Sequence, residues 1–157
     1  MLDEMHVDTS AAGLKIAVLQ STYHADITHK LVQGALSAFT AHGGNTADCD
    51  VIQVAGAWEL PVVAKKITQK SDYDCVVALG CIITGETTHD KVIAHAIANG
   101  LMQIALDWGH PVSMGILTCQ TLEQAQARAG GDYGNKGVES MLAAIKTETT
   151  LRELYAQ

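Results

Sequence analysis

The stretch Gly80-Cys81-Ile82-Ile83-Thr84-Gly85-Glu86-Thr87-Thr88-His89 gathers the residue types that chemistry needs into a short span. The apolar run Cys75 to Leu79 ahead of it reads as a buried strand stopped by Gly80, and Thr87-Thr88-His89 reads as the opening of a helix. A strand that feeds a helix N-terminus leaves backbone N–H groups unpaired at the positive end of the helix dipole, and a glycine there lets an anion approach the main chain. His89 adds a side chain suited to proton exchange near neutral pH. The pattern suggests a phosphate-bearing substrate beside a proton shuttle. A Gly-x-Thr-Thr turn without a second glycine motif also fits a plain helix cap, so the stretch does not decide alone.

The elements that would position it follow from periodicity. Lys15 to Leu19 reads as a buried strand, and Gln20 to Asp26 as a loop holding Tyr23 and His24. Apolar residues from Ile27 to Phe39 recur with a helical period that ends at His42-Gly43-Gly44. Asp50 to Val54 makes a second strand, followed by a helix that opens near Glu59-Leu60-Pro61, where proline suits the first turn, and runs to about Lys70. Tyr73 to Leu79 is the third strand and Thr88 to Trp108 a long helix with Val92, Ile93, Ala96, Ile97, Leu101, Ile104 and Ala105 on its apolar stripe. Val112 to Leu117 is the fourth strand, Thr121 and Gln124 form a capping box for a short helix to Arg128, and a last helix runs from Asn135 to Leu154 after the loop Ala129 to Gly134.

Strands alternating with helices imply a parallel sheet covered on both faces. The expected fold is α/β, a three-layer αβα sandwich on a four-stranded parallel sheet with flavodoxin-like strand order, spanning residues 14–157 behind an extended arm at 1–13. Ligands in such sheets bind outside the carboxyl ends of the strands. That rule gathers Tyr23, the loop Gly56 to Glu59, the loop Ile82 to His89 and the chain from Thr118 onwards along one edge.

Composition bounds the partners. With 157 residues, 48% of them hydrophobic, the chain suits one domain. A net charge of −7, with no basic cluster beyond Lys65-Lys66, argues against nucleic acid. Cys49, Cys75, Cys81 and Cys119 form no CxxC pair and read as reduced core thiols. Met1 to Asp8 carries three acids and no targeting pattern, and no apolar run approaches the ~20 residues a bilayer needs, so neither membrane insertion nor export is expected and the location expected is cytoplasmic. Seven histidines without HExxH or a short His/Cys cluster predict no metal site.

At the four converging loops the sequence resembles the lumazine synthase family of riboflavin biosynthesis. The residues that carry the likeness are Gly56-Ala57-Trp58-Glu59-Leu60-Pro61, Ala78-Leu79-Gly80-Cys81-Ile82-Ile83 with Gly85, Thr87 and His89, and Glu123-Gln124-Ala125 with Arg128-Ala129-Gly130 and Asn135-Lys136-Gly137. It extends over about residues 14–150. The resemblance implies condensation of 5-amino-6-ribitylaminouracil with 3,4-dihydroxy-2-butanone 4-phosphate to 6,7-dimethyl-8-ribityllumazine, with release of phosphate and water and no metal or organic cofactor. It implies that Tyr23 stacks on the pyrimidine, that Ala57, Trp58 and Glu59 hold the ribityl chain and amine, and that Cys81, Ile82 and Ile83 bind the uracil edge through backbone groups. Glu86 and Thr87 would offer N–H groups to phosphate, Arg128 the cation, and His89 the proton shuttle, while Lys136 would sit near the ribityl chain or phosphate.

The chain departs from the family pattern at Thr84, usually basic, at Asp90, usually aromatic, and at Met114, where a phenylalanine from a neighbouring subunit usually faces the substrate. Tyr23 replaces the commoner phenylalanine and keeps the π-face. The Met114 change bears on affinity more than on chemistry. The resemblance further implies pentamers with active sites between subunits, in some members packed as a sixty-subunit shell, to which the short loop Gly130 to Gly134 inclines the reading. Whether a riboflavin synthase partner is enclosed stays open.

Duller roles fit the same residues: Tyr23 as a loop aromatic, Trp58 as a helix anchor, Glu59 as a dipole complement, and Arg128 as a cap on its own helix. His24, His29, His42, His95 and His110 read as surface or core histidines. Two other functions compete with the enzyme: a carrier that binds flavin or lumazine without turnover, and a structural shell protein.

Overall fold

Every residue of strand β1 (Ile16–Ser21) is buried, and so is β3 (Cys75–Ile83) as far as Ile82. Strands covered on both faces have no polar side to alternate with, which is why these segments read as unbroken apolar runs. The structure is a computed structural model that describes residues 9–70 and 72–156, apart from the side chain of Lys70. Most of the expected N-terminal arm, residues 1–8, lies outside the described residues. From Ala11 onwards the chain is tied down, with Ala11 fully buried and its N–H donating to the His42 carbonyl at 2.8 Å.

In chain order the elements are β1, α1 (Ala25–Ala41), β2 (Cys49–Val54), α2 (Leu60–Lys70), β3, α3 (His89–Trp108), β4 (Val112–Cys119), α4 (Leu122–Ala127), the small strands β5 (Ala129–Gly131) and β6 (Gly134–Asn135), and α5 (Lys136–Ala156). The main sheet has the order β2-β1-β3-β4, all parallel, with Ile16 opposite both Cys49 and Cys75 and with Val76 opposite Val112. Flavodoxin-like order in a three-layer sandwich is therefore observed. Alternate residues feed two cores. Ile16, Val18, Cys75, Val77 and Leu79 pack with Leu31, Phe39, Met141 and Ile145 of α1 and α5, while Ala17, Leu19, Val76 and Ala78 pack with Leu60, Ile97 and Leu101 of α2 and α3.

Several expected boundaries move. The third strand does not stop at Gly80 but runs on to Ile83, because its partner β4 also extends, pairing Cys81 with Leu117 and Ile83 with Cys119. Gly80 therefore belongs to the sheet, where a Cβ would stand 3.1 Å from Ser21 Oγ, and the glycine of the exposed turn is Gly85. The expected loop Ala129 to Gly134 is a tight antiparallel hairpin, β5–β6. Val92, assigned to the apolar stripe of α3, is exposed, and full burial on that helix is confined to Ile97, Leu101 and Ile104.

Helix α5 crosses α1 at a point only glycine permits. A Cβ on Gly137 would fall 1.9 Å from the Leu31 carbonyl oxygen. Next to it, Asn135 Oδ1 accepts from the N–H groups of Gly137 and Val138, and its Nδ2 donates to Lys30 O. Two residues of the Asn135-Lys136-Gly137 motif thus hold the α1–α5 pair together.

Far from the carboxyl edge of the sheet lies a buried carboxylate. Glu148 of α5 is 2% exposed, receiving His110 Nδ1 at 2.9 Å and Arg152 Nε at 2.9 Å, and Arg152 also reaches Asp74 at 2.6 Å.

Candidate active site

The loops leaving the carboxyl ends of β1, β2 and β3 enclose a cavity of about 640 Å³. Tyr23, Ala57, Trp58, Glu59, Cys81, Ile82, Ile83, Thr87 and His89 all line it. Volumes of this size suit small-molecule ligands. Tyr23 is 69% exposed and Trp58 58% exposed, so both rings face open space rather than anchoring the core. Ala57 is buried under the short 3-10 turn Ala57–Glu59, and the Glu59 carboxylate folds back until its Oε2 lies 3.1 Å from where a Cβ on Gly56 would be.

The turn from Thr84 to Thr88 leaves backbone donors open. Among the described residues, the N–H groups of Gly85, Glu86 and Thr87 donate to no protein acceptor, whereas Thr84 N is held by Cys119 O at 2.8 Å. Thr88 precedes the helix without a side-chain cap bond, and Thr87 Oγ1 accepts from His89 N at 3.3 Å. His89 itself opens α3 and is exposed. Glu86, expected in the site, is exposed and is not among the residues that line the cavity.

Two departures from the family pattern meet here. Thr84 Oγ1 donates to Asp90 Oδ2 at 2.9 Å, tying the turn to the first helical turn, where an acidic side chain complements the dipole. The other carboxylate oxygen of Asp90 is buried without a partner.

Arg128, Lys136 and Met114 do not join this cavity. Arg128 and Lys136 line a second one of about 360 Å³, with Thr118, Cys119, Tyr133 and Glu139, at the β4 edge. Met114 lines a third, with Ile82, Thr84, Asp90 and His95. Arg128 Nη1 donates to Gln124 O at 3.1 Å, so part of its dull role as a helix cap is real, and Lys136 is paired with Glu139 at 3.0 Å. Within one chain the expected site is divided between separate places.

Burial pushes the Cys81 thiol up to about 12, with Cys119 nearby adding to the shift, so at neutral pH it is no thiolate nucleophile. All four cysteines are free. No group of three metal-ligating side chains occurs among the described residues.

A family model described as 6,7-dimethyl-8-ribityllumazine synthase matches residues 13–152. The chain belongs to the lumazine synthase family. Relatives carrying that family name include proteins from Stenotrophomonas maltophilia, 43% identical over 89% of this chain and 90% of theirs, and from Thermus thermophilus, 44% identical over 87% of each. A relative from Anaeromyxobacter is 43% identical over 91% of this chain and 88% of its own. Family membership bears out the resemblance and the reading as an enzyme. No helix among the described residues is long and apolar enough to cross a membrane.

His24, Gly85, Asp90, Val92 and Ile93 also line the first cavity and were missed as site residues. His24 had a legible signal. It sits three residues past β1, histidine is among the types enriched at positive φ, and it is the one non-glycine residue with positive φ among those described (φ 59°), its ring edge-on to Tyr23 at 4.8 Å.

Proposed function

We propose that the chain condenses 5-amino-6-ribitylaminouracil with 3,4-dihydroxy-2-butanone 4-phosphate to 6,7-dimethyl-8-ribityllumazine, releasing one phosphate and two waters. The observation that carries this reading is the meeting of an aromatic face, a carboxylate, the free backbone N–H groups of Gly85 and Thr87 and a histidine in one cavity. Tyr23 offers its ring to the pyrimidine and Glu59 its carboxylate to the ribityl hydroxyls or amine. Cys81 to Ile83 lie against the uracil edge. The amides of Gly85, Glu86 and Thr87 donate to phosphate oxygens at the positive end of α3.

The amine first attacks the ketone and water leaves as the imine forms. Loss of phosphate then takes up the electrons released with a carbon-bound proton, and the second amine closes the ring with loss of the second water. Each step moves a proton on or off carbon, nitrogen or oxygen, and His89 can serve in both directions. Holding the two substrates together supplies much of the rest.

Arg128 completes the phosphate site from a neighbouring copy of the chain, because its cavity lies at the β4 edge and not beside His89 in its own subunit. Its planar fork matches phosphate in a way lysine does not. Lys136 and Met114 reach the substrate from that same neighbour. We place the enzyme in the cytoplasm as a pentamer, and the tight β5–β6 hairpin supports further packing into a hollow shell with room for a riboflavin synthase. Mixing the protein with both substrates and following lumazine absorbance tests the reaction; ligand binding without product would refute it. Analytical ultracentrifugation separates monomer, pentamer and sixty-mer, and a monomer with full activity would refute the shared site.

A further inference from the structure

We infer that Tyr133 is a positioning residue for the Arg128 guanidinium, a platform that holds the fork ready for the phosphate of the substrate; this rests on the proposed lumazine synthase reaction. The Arg128 guanidinium carbon lies 4.8 Å from the Tyr133 ring centroid, over its face. Both residues line the same cavity. A free arginine side chain samples many rotamers, and ordering it at the moment of binding weakens the anion's affinity. A ring beneath the plane restricts those rotamers while leaving the edges of the fork open. Only one bond, Nη1 to Gln124 O, occupies the donors of Arg128 among the described residues. The other N–H groups of its five remain for an anion.

The contact is built into the backbone and is not a chance meeting of two long surface side chains. Tyr133 sits at the tip of the β5–β6 hairpin, and its N–H donates to the carbonyl of Ala127, the neighbour of Arg128, at 2.9 Å. The Arg128 carbonyl in turn accepts from Lys136 N at 2.9 Å. The hairpin reaches this close only because Gly131 has no side chain: a Cβ there would stand 2.8 Å from Ala127 Cα and 2.9 Å from Gln126 O. Gly130 and Gly134 supply the left-handed backbone on either side, at φ 101° and 77°. Tyr133 is 70% exposed, so it contributes little to the core and its ring is kept where it is by this local geometry.

The test compares Tyr133→Phe, Tyr133→Leu and Tyr133→Ala in steady-state kinetics with both substrates varied and with inorganic phosphate as a competing ligand. Tyr133→Leu and Tyr133→Ala should raise the KM for the ketose phosphate and the Ki for inorganic phosphate by about two- to fivefold, the size of an exposed cation–π contact. The KM for the pyrimidine should stay put, and Tyr133→Phe should restore the wild-type values. Unchanged phosphate constants in Tyr133→Ala overturn the inference, as does a Tyr133→Leu variant equal to wild type or a parallel rise in the pyrimidine KM. Failure of the unsubstituted protein to form lumazine would instead overturn the reaction itself, so the two failures are distinct.

Discussion

The buried carboxylate of Glu148 offers a test of how this fold is held. It has two hydrogen-bonding partners at 2.9 Å, His110 from the turn after α3 and Arg152 one turn further along α5, while both partners are partly exposed at 39% and 49%. Replacing either partner by alanine leaves Glu148 with the other, so the loss should resemble that of one charge-assisted hydrogen bond, about 1.5–3 kcal/mol. Replacing both leaves a buried carboxylate whose desolvation no partner offsets. The double variant should therefore be less stable than the sum of the single ones, with a coupling of about 1–3 kcal/mol. For a domain of this length each kcal/mol moves the thermal midpoint by about 2–4 °C. Thermal and urea unfolding at one fixed protein concentration would measure it, since assembly makes the midpoint depend on concentration. Strict additivity, or single variants as stable as wild type, would show that Glu148 is not held by this pair.

Other outcomes follow from the site and the core. His89→Ala should lower kcat by about 100- to 10,000-fold, the usual contribution of a proton-transfer group, while titration with a substrate analogue shows nearly unchanged binding. Arg128→Ala should abolish use of the phosphate substrate, and unchanged steady-state kinetics would refute the phosphate assignment. Gly137→Ala forces α5 away from Leu31 and should cost at least about 1–3 kcal/mol in unfolding experiments. In alkali, Cys81 is pushed up to about 12 by burial, Cys49 to about 11 by burial and Asp50, and Tyr73 to about 12 by burial and its hydrogen bond to Asp50. Each group binds its proton more tightly when folded, so its stabilisation is complete below the ordinary thiol or phenol pKa and lost as pH rises towards 11–12. The thermal midpoint should fall across that window, and a flat profile there would contradict it.

The sequence by itself determined the order of elements and the sheet that they build. Unbroken apolar runs such as Cys75 to Leu79 are what a strand covered on both faces requires, and helical periods between them leave a parallel sheet as the arrangement that buries both. The rule that ligands gather at carboxyl ends then placed Tyr23, Glu59 and His89 at one edge, and the cavity holds all three. Local chemistry was equally legible at Thr121, whose side chain accepts from Gln124 N. Tertiary structure decided the rest, because pairing and packing act between residues far apart in the chain. Gly80 looked like the end of a strand, yet β4 extends beside it and carries the strand to Ile83, moving the open turn to Gly85. Glu148 is buried because the turn at His110 closes over it, a contact between residues 38 apart in the chain. The pairing of Thr84 with Asp90 and of Arg128 with Tyr133, and the placing of Arg128 apart from His89, depend on how loops fold against one another, and no periodicity along a single segment records that.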